Sequence, residues 1–212
     1  MNDKLKQNLE HKNTAVIVVD VQNDYCHPDG AIAKTGIDVS AVNKMIPNLQ
    51  ALLTSAREHG ITVIFLQTNH EKATDSEVWV SRFKDGVNPI CHTGSWGAEF
   101  FEISPEAEDI IVKKHRYSGF IHTRLESVLQ TLKIETLVMT GVSTNLCVES
   151  TARDGFMMDY RIVLMKDACA AFSQEEHDMT VKTVDTYFGM SSDTKSVISF
   201  WQQSPRMPQL QS

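Results

Sequence analysis

Three side chains in this sequence carry the chemistry of nucleophilic catalysis: the thiol of Cys147, the carboxylate of Asp20 and the ammonium of Lys114. Cys147 stands in Gly141-Val-Ser-Thr-Asn-Leu-Cys147-Val-Glu-Ser-Thr-Ala-Arg-Asp154, between an apolar run at 136–140 and a helical pattern. That spacing places the thiol near a strand tip and in the first turn of a helix. The helix dipole and free N–H groups there favour the thiolate, so the address predicts a lowered thiol pKa. The alternative is a small buried hydrophobe, the commonest state of a free cysteine. Asp20 directly follows an apolar strand pattern and is placed to move a proton; the alternative is a carboxylate that caps the following loop. Lys114 lies in a run of four basic residues, 113–116, which reads either as a solvated face or, beside a thiol, as the cation that holds a thiolate.

The elements that must position these residues alternate between strand and helix patterns. Strands are expected at 15–19, 61–66, 110–112, 136–140, 161–165 and 196–200, and helices over 41–59, after Thr123, over 144–158 and after Ser173. Thr123-Arg-Leu-Glu126 and Ser173-Gln-Glu-Glu176 fit capping boxes. Pro47 should kink the first helix or mark a late start. Residues 68–108 show no clear period and read as a long loop region with short helices, a pocket wall or lid. The polar tail after Ser204 reads as loose. Strands alternating with helices predict a three-layer α-β-α Rossmann-like fold with a mostly parallel sheet of about six strands. Ligands in such sheets bind beyond the carboxyl ends of the strands. That rim collects Asp20, Asn69, His70, Lys113, Lys114 and the 141–147 loop.

Composition limits the alternatives. A chain of 212 residues fits one domain, 1–212, with a full core. The net charge of −7 argues against nucleic acid or an anionic membrane as the main partner. The cysteines at 26, 91, 147 and 169 form no CxxC pair, and such sparse cysteines fit a reducing compartment. Cys26 and Cys91 each precede a histidine, a scattered hint of metal, and Cys169 looks structural. No secretory pattern or run of about 20 apolar residues stands out, so the cytoplasm is the default. A Cys–His enzyme using His115 or His122 as base is a rival reading. The absence of GxGxxG argues against a dinucleotide-binding module.

The ordered set Val18-Val-Asp-Val-Gln-Asn-Asp24, Lys114-His-Arg-Tyr-Ser-Gly-Phe120 and Gly141 to Gly155 resembles the isochorismatase-like cysteine hydrolases, and the likeness spans about residues 14–200. The resemblance implies an Asp20–Lys114–Cys147 triad that hydrolyses a C–N bond through a thioester. It also implies a cis peptide at Val142–Ser143, with the N–H groups of Ser143 and Cys147 as an oxyanion hole. Isochorismatases proper lack the nucleophilic cysteine. Nicotinamidases carry a metal-binding Asp-x-His and a further histidine after the second strand, whereas here Gln67-Thr-Asn-His-Glu-Lys-Ala73 has a single histidine. No catalytic metal and no cofactor are therefore expected. The wording of the second and third blocks looks closest to the ureide branch of ureidoacrylate amidohydrolases, biuret hydrolases and N-carbamoylsarcosine-type amidases. A small amide or ureide is the expected partner, with a homo-oligomer of two or four subunits expected from the likeness. Arg116 is a candidate donor to a substrate carbonyl or carboxylate. Tyr25, Trp79, Trp96 and Phe120 are candidate walls of a flat substrate slot, each with plain core packing as its alternative.

Overall fold

A computed structural model describes Leu9, residues 13–83, Gly86 and residues 88–203. The strands are β1 (Thr14–Val19), β2 (Thr62–Thr68), β3 (Ile110–Lys114), β4 (Thr136–Val142), β5 (Arg161–Ala170) and β6 (Met190–Ser192). They form one sheet in the order β3-β2-β1-β4-β5-β6, and every neighbouring pair runs parallel. The order grows outward in both directions from the β1/β4 pair, which is the switch point where open α/β sheets form their crevice.

Alternation along the strands divides the core between two faces. Val16, Val18, Val63 and Phe65 pack with Leu49, Leu52 and Leu53 of α1 (Ala41–Glu58). Ile17, Val19, Ile64 and Leu66 pack with Leu125 and Leu129 of α2 (Leu125–Thr131) and Ala152 of α3 (Glu149–Met157). Burial on both faces explains why the strands read as continuous apolar runs. The helix α1 passes through Pro47 without a break or late start. Pro47 and Asn43 are both exposed, so the carbonyl that loses its N–H partner lies on the solvent side.

Two expectations need correction. The apolar run 196–200 is helical and belongs to α5 (Thr194–Gln203), while the sixth strand is Met190–Ser192. Val197, Phe200 and Trp201 are buried at helical spacing, and that stripe outweighs the β-branched content of the run. The expected helix 144–158 is a π-helical turn, Thr144–Val148, continued by α3. Ser173 caps α4 (Gln174–Thr183) as expected, its hydroxyl accepting from the Glu176 N–H at 3.2 Å. Thr123 accepts instead from the Leu125 N–H at 3.0 Å, at the start of a shorter helix. The tail after Ser204 lies outside the described residues.

Among the described residues, the 68–108 region contains two short helical turns, Glu77–Val80 and Trp96–Ala98, and is tied down by polar contacts. Gln22 Nε2 donates to the carbonyls of Thr68 and Ala98, both at 2.8 Å. Asp24 accepts from the Cys91 N–H at 2.7 Å, and Gly97 lies so close that a Cβ there would stand 2.0 Å from Asp24 Oδ2. Among the described residues, no helix is long and apolar enough to cross a membrane.

Gly141 joins the fold to its rim. Its φ is +103°, and a Cβ built there would meet the Val19 carbonyl oxygen at 2.1 Å. Only glycine allows β4 to lie against the end of β1 here. Gly141→Ala is expected to lower stability by about 1–3 kcal/mol, read by urea denaturation. An unchanged midpoint would mean that β4 has room to shift.

Candidate active site

Four neighbouring strands deliver the site. Lys114 is the last residue of β3, Thr68 ends β2 in register with it, and Asp20 follows β1. Cys147 lies in the turn after β4. Asp20 and Lys114 are buried, with side chains 1% exposed, and Cys147 is 5% exposed. The basic run is therefore not a solvated face: Lys114 points inward while Lys113 is exposed.

Lys114 Nζ donates to Thr68 Oγ1 and to the Arg116 carbonyl, each at 2.9 Å. Its third neighbour is Asp20 Oδ2, 2.7 Å away. That contact is electrostatic rather than an aligned hydrogen bond, so Oδ2 has no directed donor. Asp20 Oδ1 accepts from Thr68 Oγ1 at 2.8 Å. Oδ1 is thus engaged, and Oδ2 is the oxygen available for a proton. Both side chains interact with the Cys147 thiol.

Burial pushes the Cys147 thiol up to about 12, with Lys114 pulling down and Asp20 pushing up. This overturns the expectation of a lowered thiol pKa. Desolvation outweighs a helix start and one ammonium, and that ammonium also faces a carboxylate. For Lys114, burial opposes the charge, but Asp20 and Cys147 outweigh it and hold the ammonium above its usual value. The resting site is therefore a neutral thiol beside an Asp–Lys ion pair, and attack by sulfur requires a base in contact with it.

A cavity of about 250 Å³ opens onto these groups. Ser143 and Cys147 line it, as do Tyr25 and Trp79 from the expected wall and Arg116, the candidate donor. The Val142–Ser143 peptide is cis. Burial, together with nearby Cys91, Asp20 and Cys147, raises the Tyr25 phenol well above its ordinary value, so it is a neutral donor. Trp96 and Phe120 are not brought to the cavity. Trp96 is 46% exposed and meets His27 edge-on at 5.0 Å. Phe120 stacks on Tyr160 at 6.0 Å, on the outer side of the second core.

Residues beyond the expected set complete the wall. Thr68 links the carboxylate to the ammonium, and nothing in its sequence context distinguished it from any strand threonine. Arg82 lines the cavity with its guanidinium carbon 3.8 Å from the Trp79 ring centroid. His70 is the lining histidine, while His115 Nδ1 pairs with the Asn69 carbonyl at 2.5 Å and His122 is exposed. His70 Nδ1 pairs with Asp75 at 2.8 Å, and burial lowers its pKa against the pull of that carboxylate. Among the described residues, no group of three or more His, Cys, Asp or Glu side chains is arranged to hold a metal ion.

Comparison with known proteins agrees with this architecture. A ureidoacrylate amidohydrolase, RutB, of Acinetobacter baylyi is 34% identical over 216 residues, covering 94% of this chain and 88% of that protein. A cysteine hydrolase from Pseudomonas syringae pv. phaseolicola superposes with a TM-score of 0.83 at 30% identity, over 90% of this chain and 93% of the other. The N-carbamoylsarcosine amidase of Thermoplasma acidophilum gives a TM-score of 0.69 at 25% identity, covering 86% of this chain and 96% of its own. The isochorismatase domain model matches residues 14–196. The chain with this thiol, acid and ammonium at its sheet rim belongs to the isochorismatase family.

Proposed function

We propose that this protein is a cysteine amidohydrolase that cleaves the C–N bond of a small ureide of the ureidoacrylate type. The observation that carries the reading is the convergence of Asp20, Lys114 and Cys147 at the β1/β4 switch point, where Lys114 and Cys147 line one small cavity and Asp20 lies directly behind them. The similarity to ureidoacrylate amidohydrolases supports the substrate class.

In this mechanism Asp20 Oδ2 takes the thiol proton as Cys147 Sγ bonds to the substrate carbonyl carbon. The carbonyl oxygen becomes an oxyanion, held by the N–H groups of Ser143 and Cys147; such donors are worth about 2.7–4 kcal/mol each in the barrier. Asp20 returns the proton to the leaving nitrogen, the C–N bond breaks and a thioester remains. Water then gives a proton to Asp20 while its oxygen bonds to the thioester carbon, the C–S bond breaks, and Asp20 returns the proton to Cys147 Sγ, so the carbonyl departs as an acid or carbamate. Lys114 offsets the negative charge on sulfur and on the acid through the cycle. Thr68 fixes both partners, and Tyr25 is placed to donate to the bound amide.

The test is a panel of ureidoacrylate, biuret, N-carbamoylsarcosine and nicotinamide, with ammonia release followed for each. Ureidoacrylate should give the highest kcat/KM, by roughly ten-fold or more. Faster turnover of nicotinamide would move the assignment to a different amide class, and no turnover of any member would reject the reading.

A further inference from the structure

We infer that the end of the substrate remote from the scissile bond is a carboxylate, received by Arg82, Arg116 and the Trp79 indole N–H. The inference deepens the amidohydrolase reading and rests on it for the position of the scissile bond. Among the described residues, the cavity wall includes Arg82, Lys114 and Arg116 but no Asp or Glu. Lys114 is matched by Asp20 at 2.7 Å. The two guanidinium groups are not matched in that way. Arg116 uses Nη1 for the carbonyls of Thr74 and His115, at 3.0 and 2.6 Å. Among the described residues, Arg82 makes no hydrogen bond or ion pair, only ring contacts with Trp79, Phe83 and Tyr117.

Both cations gather on one indole: the guanidinium carbons lie 3.8 and 4.9 Å from the Trp79 centroid. Trp79 Nε1 is itself buried with no acceptor. The nearby acid, Asp75, is engaged by His70 at 2.8 Å. Among the described residues, two positive charges thus face one negative charge, and burial holds His70 towards its neutral form. A protein of net charge −7 has concentrated like-charged groups at its cavity, where they repel until an anion comes between them. A planar group with two acceptor oxygens and one negative charge satisfies the free donors and the charge together, which suits a guanidinium fork better than any neutral amide does. Neutral ureides such as biuret would leave that end of the cavity unanswered.

The experiment compares each acid with its own primary amide: ureidoacrylate with ureidoacrylamide, and N-carbamoylsarcosine with its amide. Binding is measured by calorimetry on Cys147→Ala protein, and KM on the wild type, Arg82→Met and Arg116→Lys. The acids should bind roughly ten-fold or more tighter than the amides, and Arg82→Met should move that ratio towards one. Arg116→Lys keeps the charge without the fork and should lose part of the ratio. Equal binding of acid and amide, or a ratio untouched by Arg82→Met, would overturn the acid subsite even if every ureide is hydrolysed. An Arg82-dependent preference for acids, found in an enzyme that hydrolyses none of them, would uphold the subsite while rejecting the amidohydrolase reading.

Discussion

Cys147→Ala is expected to reduce turnover by about 10,000-fold or more while leaving the fold intact. The change removes the only atom proposed to bond to substrate, and losses of this size are typical when a nucleophile that acts as part of a unit is deleted. The change deletes a single sulfur atom at the edge of the apolar core, so the melting temperature should shift by only a few degrees. Mass spectrometry of the wild type quenched during turnover should show a covalent adduct on Cys147; substantial activity in the variant would end the thioester mechanism. The raised thiol pKa adds a separate signature. With the pKa pushed up to about 12 by burial, the thiolate fraction rises about ten-fold per pH unit across the neutral range. Alkylation of Cys147 by iodoacetamide should therefore keep accelerating from pH 6 to 9 and not level off. A plateau below pH 8 would indicate a preformed thiolate and a much smaller role for Asp20 in activation.

Lys114→Met is expected to damage both stability and chemistry. It removes the only cation within 4 Å of Asp20 among the described residues, in a pair almost wholly buried. Deleting one partner of such a pair typically costs about 3–5 kcal/mol, because the remaining charge is stranded in low dielectric. Two hydrogen bonds, to Thr68 Oγ1 and to the Arg116 carbonyl, are lost with it. Turnover should fall by several orders of magnitude, since sulfur and carboxylate would then share the site without a counter-charge. The double variant Asp20→Asn/Lys114→Met separates the causes. Urea denaturation should find it more stable than the sum of the single losses, with a coupling of about 0.5–3 kcal/mol, yet it should remain inactive. Strict additivity would dismiss the buried pair as a source of stability. Near-normal turnover in Lys114→Met would point to His70, the histidine that lines the cavity.

Much of the fold was legible because the apolar pattern is dense and local. Five strand segments could be placed from their β-branched runs, and their alternation with helices implied a parallel sheet covered on both faces. The failure at 196–200 is instructive, since a short apolar run fits either period and only the shared burial of Val197, Phe200 and Trp201 decided it. The placement of Asp20, Lys114 and Cys147 was legible because each stands at or just beyond a strand end, and the carboxyl ends of parallel strands meet at one rim. Tyr25, Trp79 and Arg116 reached the cavity as expected, whereas Trp96 and Phe120 found other partners. Aromatic residues serve cores and slots alike, and their type alone does not choose between them.

Local pattern along the chain sets which chemical groups exist and which strand carries each of them, because strand succession and apolar period are properties of neighbouring residues. The tertiary structure alone decided what those groups are. Thr68 became the link between carboxylate and ammonium only through the β2/β3 register that sets it opposite Lys114. Arg82 became part of the wall only because its loop brings it over Trp79. The thiol that looked acidic at a helix start became a weak acid, since pKa follows three-dimensional burial and neighbouring charge, and neither is encoded in the spacing of residues along a chain.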